Sequence, residues 1–217
     1  MVSTLLRKEQ RDNLATQNGS NTEMPGRLTA SKFREISNRK VTSPPDRLGR
    51  DLFQYKVRPS VPYQCKVGLE MEPVIISKYV EYQNISGHAG ITVKEKGLVI
   101  DKENPVLAAS VDGEVTDPTN KYHPVGNIEA KYKLFPSKLK EQDEKVPLLK
   151  TLAQHTRNFC LQITESKLTK KHSYYVQVQG DMAITRRPCL ILWCIPLSWT
   201  MRAYTLIYFE PTFWEGQ

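Results

Sequence analysis

Few of the usual signs of cross-linking, secretion or membrane insertion occur in this chain. It has four cysteines (Cys65, Cys160, Cys189 and Cys194), and no two show C-x-x-C spacing. No zinc site is therefore indicated. An apolar signal region is lacking at the start of the sequence, which predicts a reducing intracellular compartment rather than secretion. Long hydrophobic runs are missing too. The most apolar stretch, 188–201, contains Pro188 and Pro196 and is too short to cross a bilayer. It reads as core strand, and no membrane partner is expected. Three of the four histidines, His88, His123 and His155, show no pairing pattern. Acidic residues are outnumbered, with 23 Asp and Glu against 31 Lys and Arg, for a net charge of +8. A basic surface favours nucleic acid or an anionic membrane. A nuclear location is compatible with the first of these.

A chain of 217 residues can bury one sizeable core. Residues 1–23 are polar without a sustained period and read as a flexible N-terminal segment, with one domain over 24–217. Thr29 to Ile36 reads as a helix start, and 40–62 as a proline-rich connector. Val67 to Gln83 has helical spacing, with Leu69, Pro73, Ile76 and Tyr79/Val80 on one face and Pro73 tolerable near the first turn. Ile91 to Ile100 suggests a strand or hairpin. Pro105 to Ala109 reads as a strand entering an Asp112-Gly113 turn, with Gly113 to Val115 as its partner. Asn127 to Tyr132 is a further strand, 136–148 a Lys-rich linker and Leu148 to Phe159 a helix. His172 to Ile184 is the longest helix, with Tyr175, Val178, Met182 and Ile184 on one side and Gln177 on another. Two final strands are expected over 189–200 and 203–209.

The chemistry concentrates in Ser110-Val111-Asp112-Gly113 and Glu129-Ala130-Lys131. Side chains alternate along a strand, so Glu129 and Lys131 point the same way. A carboxylate and an ammonium sharing one face suit a divalent cation beside a phosphate better than they suit core packing. Mg²⁺ takes oxygen ligands, usually one or two carboxylates with waters and substrate phosphate. Asp112 and Glu129 fit that need, and Lys131 can orient water or steady charge developing on the phosphate. The alternative for the same residues is a surface ion pair across two strands.

Four segments occur in order: Gly26-Arg27-Leu28-Thr29-Ala30-Ser31, Gly68-Leu69-Glu70-Met71-Glu72, the Asp112 and Glu129-Ala130-Lys131 pair, and His172-Ser173-Tyr174-Tyr175-Val176-Gln177-Val178-Gln179. Together they resemble the YqaJ-type viral recombinase domain, kin of the phage lambda exonuclease, over most of residues 24–214. The resemblance implies an α/β fold with a restriction-endonuclease-like core: a mixed central β-sheet flanked by helices. It implies a Mg²⁺-dependent deoxyribonuclease, with Mn²⁺ as a substitute, typically a 5′→3′ exonuclease on duplex DNA ends acting in recombination or repair. Some relatives form ring-like homo-oligomers, and a single-strand annealing protein is the implied partner.

By the same resemblance, Asp112 and Glu129 are metal-binding carboxylates, Lys131 the catalytic lysine and Glu72 the helical carboxylate for a second metal. Ala130 would contribute through its backbone, its carbonyl serving as a metal ligand. Gln177 is the helical glutamine near the active site, with Tyr174 one turn earlier as a DNA-binding residue, and Ser31 lies near the terminal DNA phosphate; Arg27, which adjoins Ser31, can pair with phosphate through its guanidinium. Each has a plainer alternative: a helix-dipole partner for Glu72, a solvated face for Gln177 and Gln179, core for Tyr174 and Tyr175, a cap for Ser31 and a surface arginine for Arg27. The sequence also departs from the family pattern. Val111 replaces the usual proline before Asp112, Met24 stands where an arginine is expected, and Pro196 falls inside an expected strand. The chain ends where relatives continue into another helix, which suggests a truncated copy. A catalytically decayed DNA-binding module is therefore the rival reading.

Overall fold

The computed structural model describes residues 27–40, 42–44, 46, 49–50, 62–133, 159–162, 167–196 and 203–213. The elements among them are, in chain order, β1 (Leu28–Thr29), a 3-10 turn (Ala30–Lys32), α1 (Phe33–Ser37), α2 (Tyr63–Ile85), β2 (Thr92–Glu95), β3 (Leu98–Ile100), β4 (Leu107–Ser110), β5 (Gly113–Thr116), β6 (Val125–Lys133), α3 (Ser173–Thr185), β7 (Cys189–Pro196), β8 (Ala203–Tyr208) and a 3-10 turn (Pro211–Phe213). The five-stranded sheet has the order β2-β5-β6-β7-β8, and a three-stranded sheet has the order β1-β4-β3. In the larger sheet only β6 and β7 are parallel. Parallel neighbours need a long crossover, and α3 lies on it. The fold class is the expected one, a mixed sheet flanked by helices.

β7 shows why its sequence is uniformly apolar. Leu190 and Leu192 join Tyr175, Val178 and Met182 of α3 and Ile207 of β8 in one cluster. Ile191 and Trp193 point the other way, to Ile75 and Tyr79 of α2 with Val115 and Ile128. Both faces of the strand are covered, so the period-two alternation of a half-buried strand is absent. Trp193 is fully buried, with Tyr79 edge-on to its indole and Tyr204 stacked on it, each with ring centroids 5.1 Å apart. Pro196 is the last residue of β7, opposite Lys133, so it ends the strand rather than interrupting it.

Several local expectations are corrected. The Asp112-Gly113 pair is not a hairpin turn between β4 and β5. β4 pairs with β1 and β3, whereas β5 pairs with β2 and β6, so Val111-Asp112 links two sheets. Gly113 has no left-handed backbone, and space selects it instead: an added Cβ would lie 2.6 Å from Val93 Cγ1. The 91–100 stretch forms two strands, but they enter different sheets and make no hairpin. The long helix α2 starts at Tyr63, and its buried stripe is Ile75, Tyr79 and Gln83. Leu69 is 68 % exposed. Pro73 sits in the helix interior on an exposed position, where water can satisfy the carbonyl its missing N–H leaves unpaired. Thr29 does not cap with its side chain; its hydroxyl meets that of Ser31 at 3.0 Å. The expectations for residues 1–23, Met24, the 136–148 linker and nearly all of the 148–159 helix lie outside the described residues.

Candidate active site

The pairing register builds the site. β5 and β6 pair only as far as Gly113 opposite Ile128. Beyond that point the edge of β6 has lost its neighbour, and the next outward N–H belongs to Ala130. Asp112, immediately before β5, takes it: Ala130 N–H donates to Asp112 Oδ2 at 2.6 Å. A carboxylate thus replaces a ladder bond. In a strand the N–H and C=O of one residue face the same edge, so the Ala130 carbonyl is presented toward the Asp112 side.

Glu129 and Lys131 share the opposite alternation of β6, as period two requires. Glu129 is buried, and Lys131 Nζ donates to its Oε1. Gln177 reaches across from α3, donating from Nε2 to the same Oε1 at 2.8 Å. Tyr174, one turn earlier on α3, places its ring 5.2 Å from Lys131 Nζ, within cation–π range. His172 caps α3, its Nδ1 accepting from Tyr174 N at 3.1 Å.

The electrostatics are those of crowded carboxylates around one cation. Burial first, and Glu129 second, push the Asp112 carboxyl up to about 8; Lys131 and the Ala130 N–H act against them, and Glu72 adds to the rise. Burial works against the charge on Lys131, but Glu129 and Asp112 more than offset it and hold its ammonium above the usual lysine range. Glu129 Oε2 is buried with no hydrogen-bond partner. The donor set is hard: carboxylate and carbonyl oxygens. Among the described residues no three His, Cys, Asp or Glu side chains form a ready-made cation cage.

Of the residues expected from sequence, Asp112, Glu129, Ala130, Lys131, Gln177 and Tyr174 come together directly. Glu72, half-buried on α2, acts on Asp112 through its charge. Ser31 and Arg27 sit apart from the carboxylates in the bonds they make. Ser31 is exposed on the 3-10 turn, and Arg27 donates to the Pro105 carbonyl. That turn packs on α3 because Gly180 has no side chain: a Cβ there would meet the Phe33 ring at 2.7 Å and Ala30 Cβ at 3.1 Å. Gln179 belongs to neither the site nor a solvated face. It is fully buried, donating to the Tyr208 carbonyl at 3.0 Å and accepting from Glu210 N at 2.9 Å. Tyr175 is core. His88 finds a partner the sequence did not suggest, Asp117 Oδ2 at 2.7 Å from its Nδ1.

One site residue was missed. Asp181 on α3 is 1 % exposed, and its carboxyl is held well above the usual range by burial first and by Glu129 second. The signal was available, since Asp181 follows Gln177 at i+4 and therefore shares its face.

The family model for the YqaJ-like viral recombinase domain matches residues 22–188. Among solved structures, the chain resembles an alkaline exonuclease from Laribacter hongkongensis at 19 % identity and a TM-score of 0.57, over 88 % of this chain and 81 % of that one. The same enzyme in complex with dAMP matches at 18 % identity and a TM-score of 0.57, over 88 % and 82 %. A phage-related exonuclease from Haemophilus somnus matches at 13 % identity and a TM-score of 0.50, over 87 % of each chain. These likenesses are of fold, the restriction-endonuclease-like arrangement. No curated protein matches the chain. Among the described residues, no helix is long and apolar enough to cross a membrane. With the match spanning most of its length, the chain belongs to the YqaJ-like viral recombinase domain family.

Proposed function

We propose that this protein is a metal-dependent deoxyribonuclease that removes nucleotides from the ends of duplex DNA in the 5′→3′ direction, serving recombination or repair. The observation that carries the reading is Asp112, pinned by the Ala130 N–H beside the Glu129–Lys131–Gln177 group. Such a set has little value as packing. A buried carboxylate oxygen without a partner, as at Glu129 Oε2, is costly unless a cation or a proton answers it.

The residues fit Mg²⁺, or Mn²⁺ in its place: Asp112, Glu129 and the Ala130 carbonyl would hold one ion, and Glu72 with Asp112 a second. Such ions, when bound, polarise the phosphoryl group, lower the pKa of water and steady the entering and leaving oxygens of an in-line displacement. The chain's own groups do the rest. Lys131 keeps its charge and offers it to the phosphate oxygen where negative charge develops. Gln177 orients the attacking water by hydrogen bonding. Tyr174 covers the Lys131 ammonium and limits its motion. Ser31, Arg27 and the basic surface hold the DNA strand. Partners of this reading are duplex DNA ends, a single-strand annealing protein and further copies of the chain in a homo-oligomer, in a nuclear or other intracellular setting.

The test is digestion of a linear 5′-phosphorylated duplex with and without Mg²⁺, beside Lys131→Ala. Mg²⁺-dependent loss of nucleotides from the ends, absent in the variant while DNA binding persists, is the expected result. A folded protein that binds DNA and cuts with neither Mg²⁺ nor Mn²⁺ would be a decayed DNA-binding module instead.

A further inference from the structure

Glu114 leaves β5 on the side of the sheet that carries α3. It stands opposite Asn127 of β6, and the Asn127 amide donates to Thr185 Oγ1 of α3 at 2.7 Å. Glu129 lies two residues farther along β6 on the same face. Glu114 is therefore its diagonal neighbour across the strand pair, about 7–8 Å away.

Three cations gather at Glu114. Arg187, between α3 and β7, donates to Glu114 Oε2 from Nε at 3.0 Å and also from Nη2. Lys96, just past β2, places Nζ 3.1 Å from the same oxygen. Lys94 stands opposite Glu114 across β2 and β5 and is exposed. It forms no ion pair among the described residues. Burial works against the charge on Glu114, but the bonds from Arg187 and Lys96 outweigh it and hold the carboxyl below its usual range. Three cations less one carboxylate leave the patch with two positive charges. Arg186 stays outside that count, since Glu103 answers it at 2.6 Å.

Ion pairing alone does not account for the excess. One cation neutralises one carboxylate, and partly exposed pairs contribute little to stability. Lys96 and Arg187 keep 29 % and 33 % of their side chains exposed. Arg187 Nη1 makes no hydrogen bond among the described residues. A guanidinium and two ammonium groups on one surface suit a phosphodiester, whose two free oxygens can accept from more than one cation. We propose that Lys94, Lys96 and Arg187 form a binding patch for a DNA backbone phosphate beside the catalytic group, with Glu114 holding the last two in place. The identity of the ligand rests on the nuclease reading.

The test is the fluorescence anisotropy of a labelled linear duplex bound by the full chain without divalent cations, over a range of KCl concentrations. No cleavage is needed. Each phosphate contact contributes a slope of about −0.9 in log K against log[salt]. Lys94→Gln and Lys96→Gln should each flatten the slope by about 0.9 and weaken binding about fivefold near ~0.15 M salt. Lys94→Gln breaks no ion pair among the described residues, so it decides the matter even where Arg187→Gln does not fold. Arg187→Lys keeps the charge and should keep the slope. Glu114→Gln retains an acceptor for Arg187 and Lys96 but loses the negative charge, and should tighten binding, a gain that a purely structural network would not give. Lys78→Gln removes an exposed lysine of α2 paired with Glu81 at 2.7 Å and should leave the slope unchanged. Wild-type slopes in Lys94→Gln and Lys96→Gln, or losses no larger than in Lys78→Gln, would overturn the proposal, while duplex binding by the wild type leaves the nuclease reading standing. A wild type that binds no duplex even at low salt overturns both.

Discussion

The backbone N–H of Ala130 donates to Asp112 Oδ2 at 2.6 Å, so the side chain of the segment linking the two sheets completes the edge of the central strand. This bond separates two functions of Asp112. Asparagine keeps an acceptor for the Ala130 N–H but lacks the charge; alanine lacks both. Asp112→Asn should fold as well as the wild type and cleave nothing. Asp112→Ala should also cleave nothing and should be less stable than Asp112→Asn by about 1–3 kcal/mol, the cost of a buried donor left unpaired. Urea unfolding beside the end-digestion assay checks both, and equal stability of the two variants would deny the bond its structural role.

A second prediction concerns pH. Asp112 is raised, by burial and then by Glu129, to about 8. The folded state therefore binds more protons than the unfolded one between the usual carboxylate value of about 4 and about 8. The stability of the cation-free protein should fall as pH rises through that window, and Asp181, raised by the same causes, adds to the slope. On the proposed reading a divalent cation, when bound, would replace the proton. The rise in Tm on adding Mg²⁺ should thus be larger near pH 8 than near pH 6 (about two units apart on the same slope), with protons released on binding. Calorimetric titration in two buffers of different ionisation enthalpy measures that release. In Asp112→Asn the release should shrink.

Much of the site was legible because it rests on period two and on short spacings. Glu129 and Lys131 share a face whatever surrounds β6, and the 172–184 pattern gives α3 nearly to its ends. What was not legible depended on which strand pairs with which. Gly113 after Asp112 reads as a turn from composition, yet the glycine answers to the side chains of Val93 and Ile128, distant in sequence. The stripe of α2 was misjudged at Leu69 because the helix is longer than its apolar face. Asp181 escaped for the opposite reason: an acidic residue on a helix reads as solvated until the sheet that buries it is known. Gln179 was obscured in the same way, since its partners lie at the end of β8 and just beyond it.

The contrast between Gln177 and Gln179 gives a third prediction. Gln179→Ala removes two hydrogen bonds to backbone groups and opens a cavity, and should cost about 2 kcal/mol or more of stability. Its folded fraction should cleave DNA at nearly the wild-type rate. Gln177→Ala should do the reverse, with a modest change in Tm and a large fall in kcat. Thermal melts paired with cleavage rates, normalised to folded protein, separate the two.

Two glycines of the family-like motifs should respond to alanine with opposite signs. Gly68 lies within α2 with nothing within 4 Å of where a Cβ would stand. Gly68→Ala should therefore stabilise the protein by up to about 1 kcal/mol through helix propensity alone. Gly113 opens β5, and its added Cβ would lie 2.6 Å from Val93 Cγ1, 3.1 Å from Ile128 Cγ2 and 3.3 Å from the Lys94 carbonyl. A β-branched side chain with one favoured rotamer and a backbone oxygen cannot yield cheaply. Gly113→Ala should cost about 1–3 kcal/mol, as overpacking does. Because Asp112 precedes it directly, the backbone shift that relieves the clash should also lengthen the bond to the Ala130 N–H. Amide exchange at Ala130 would then rise along with the drop in Tm. A Gly113→Ala protein as stable as the wild type, with Ala130 still protected, would mean that β2 and β6 can part without disturbing the Asp112–Ala130 edge, and that Asp112 is held by its own hydrogen bond rather than by the sheet on either side.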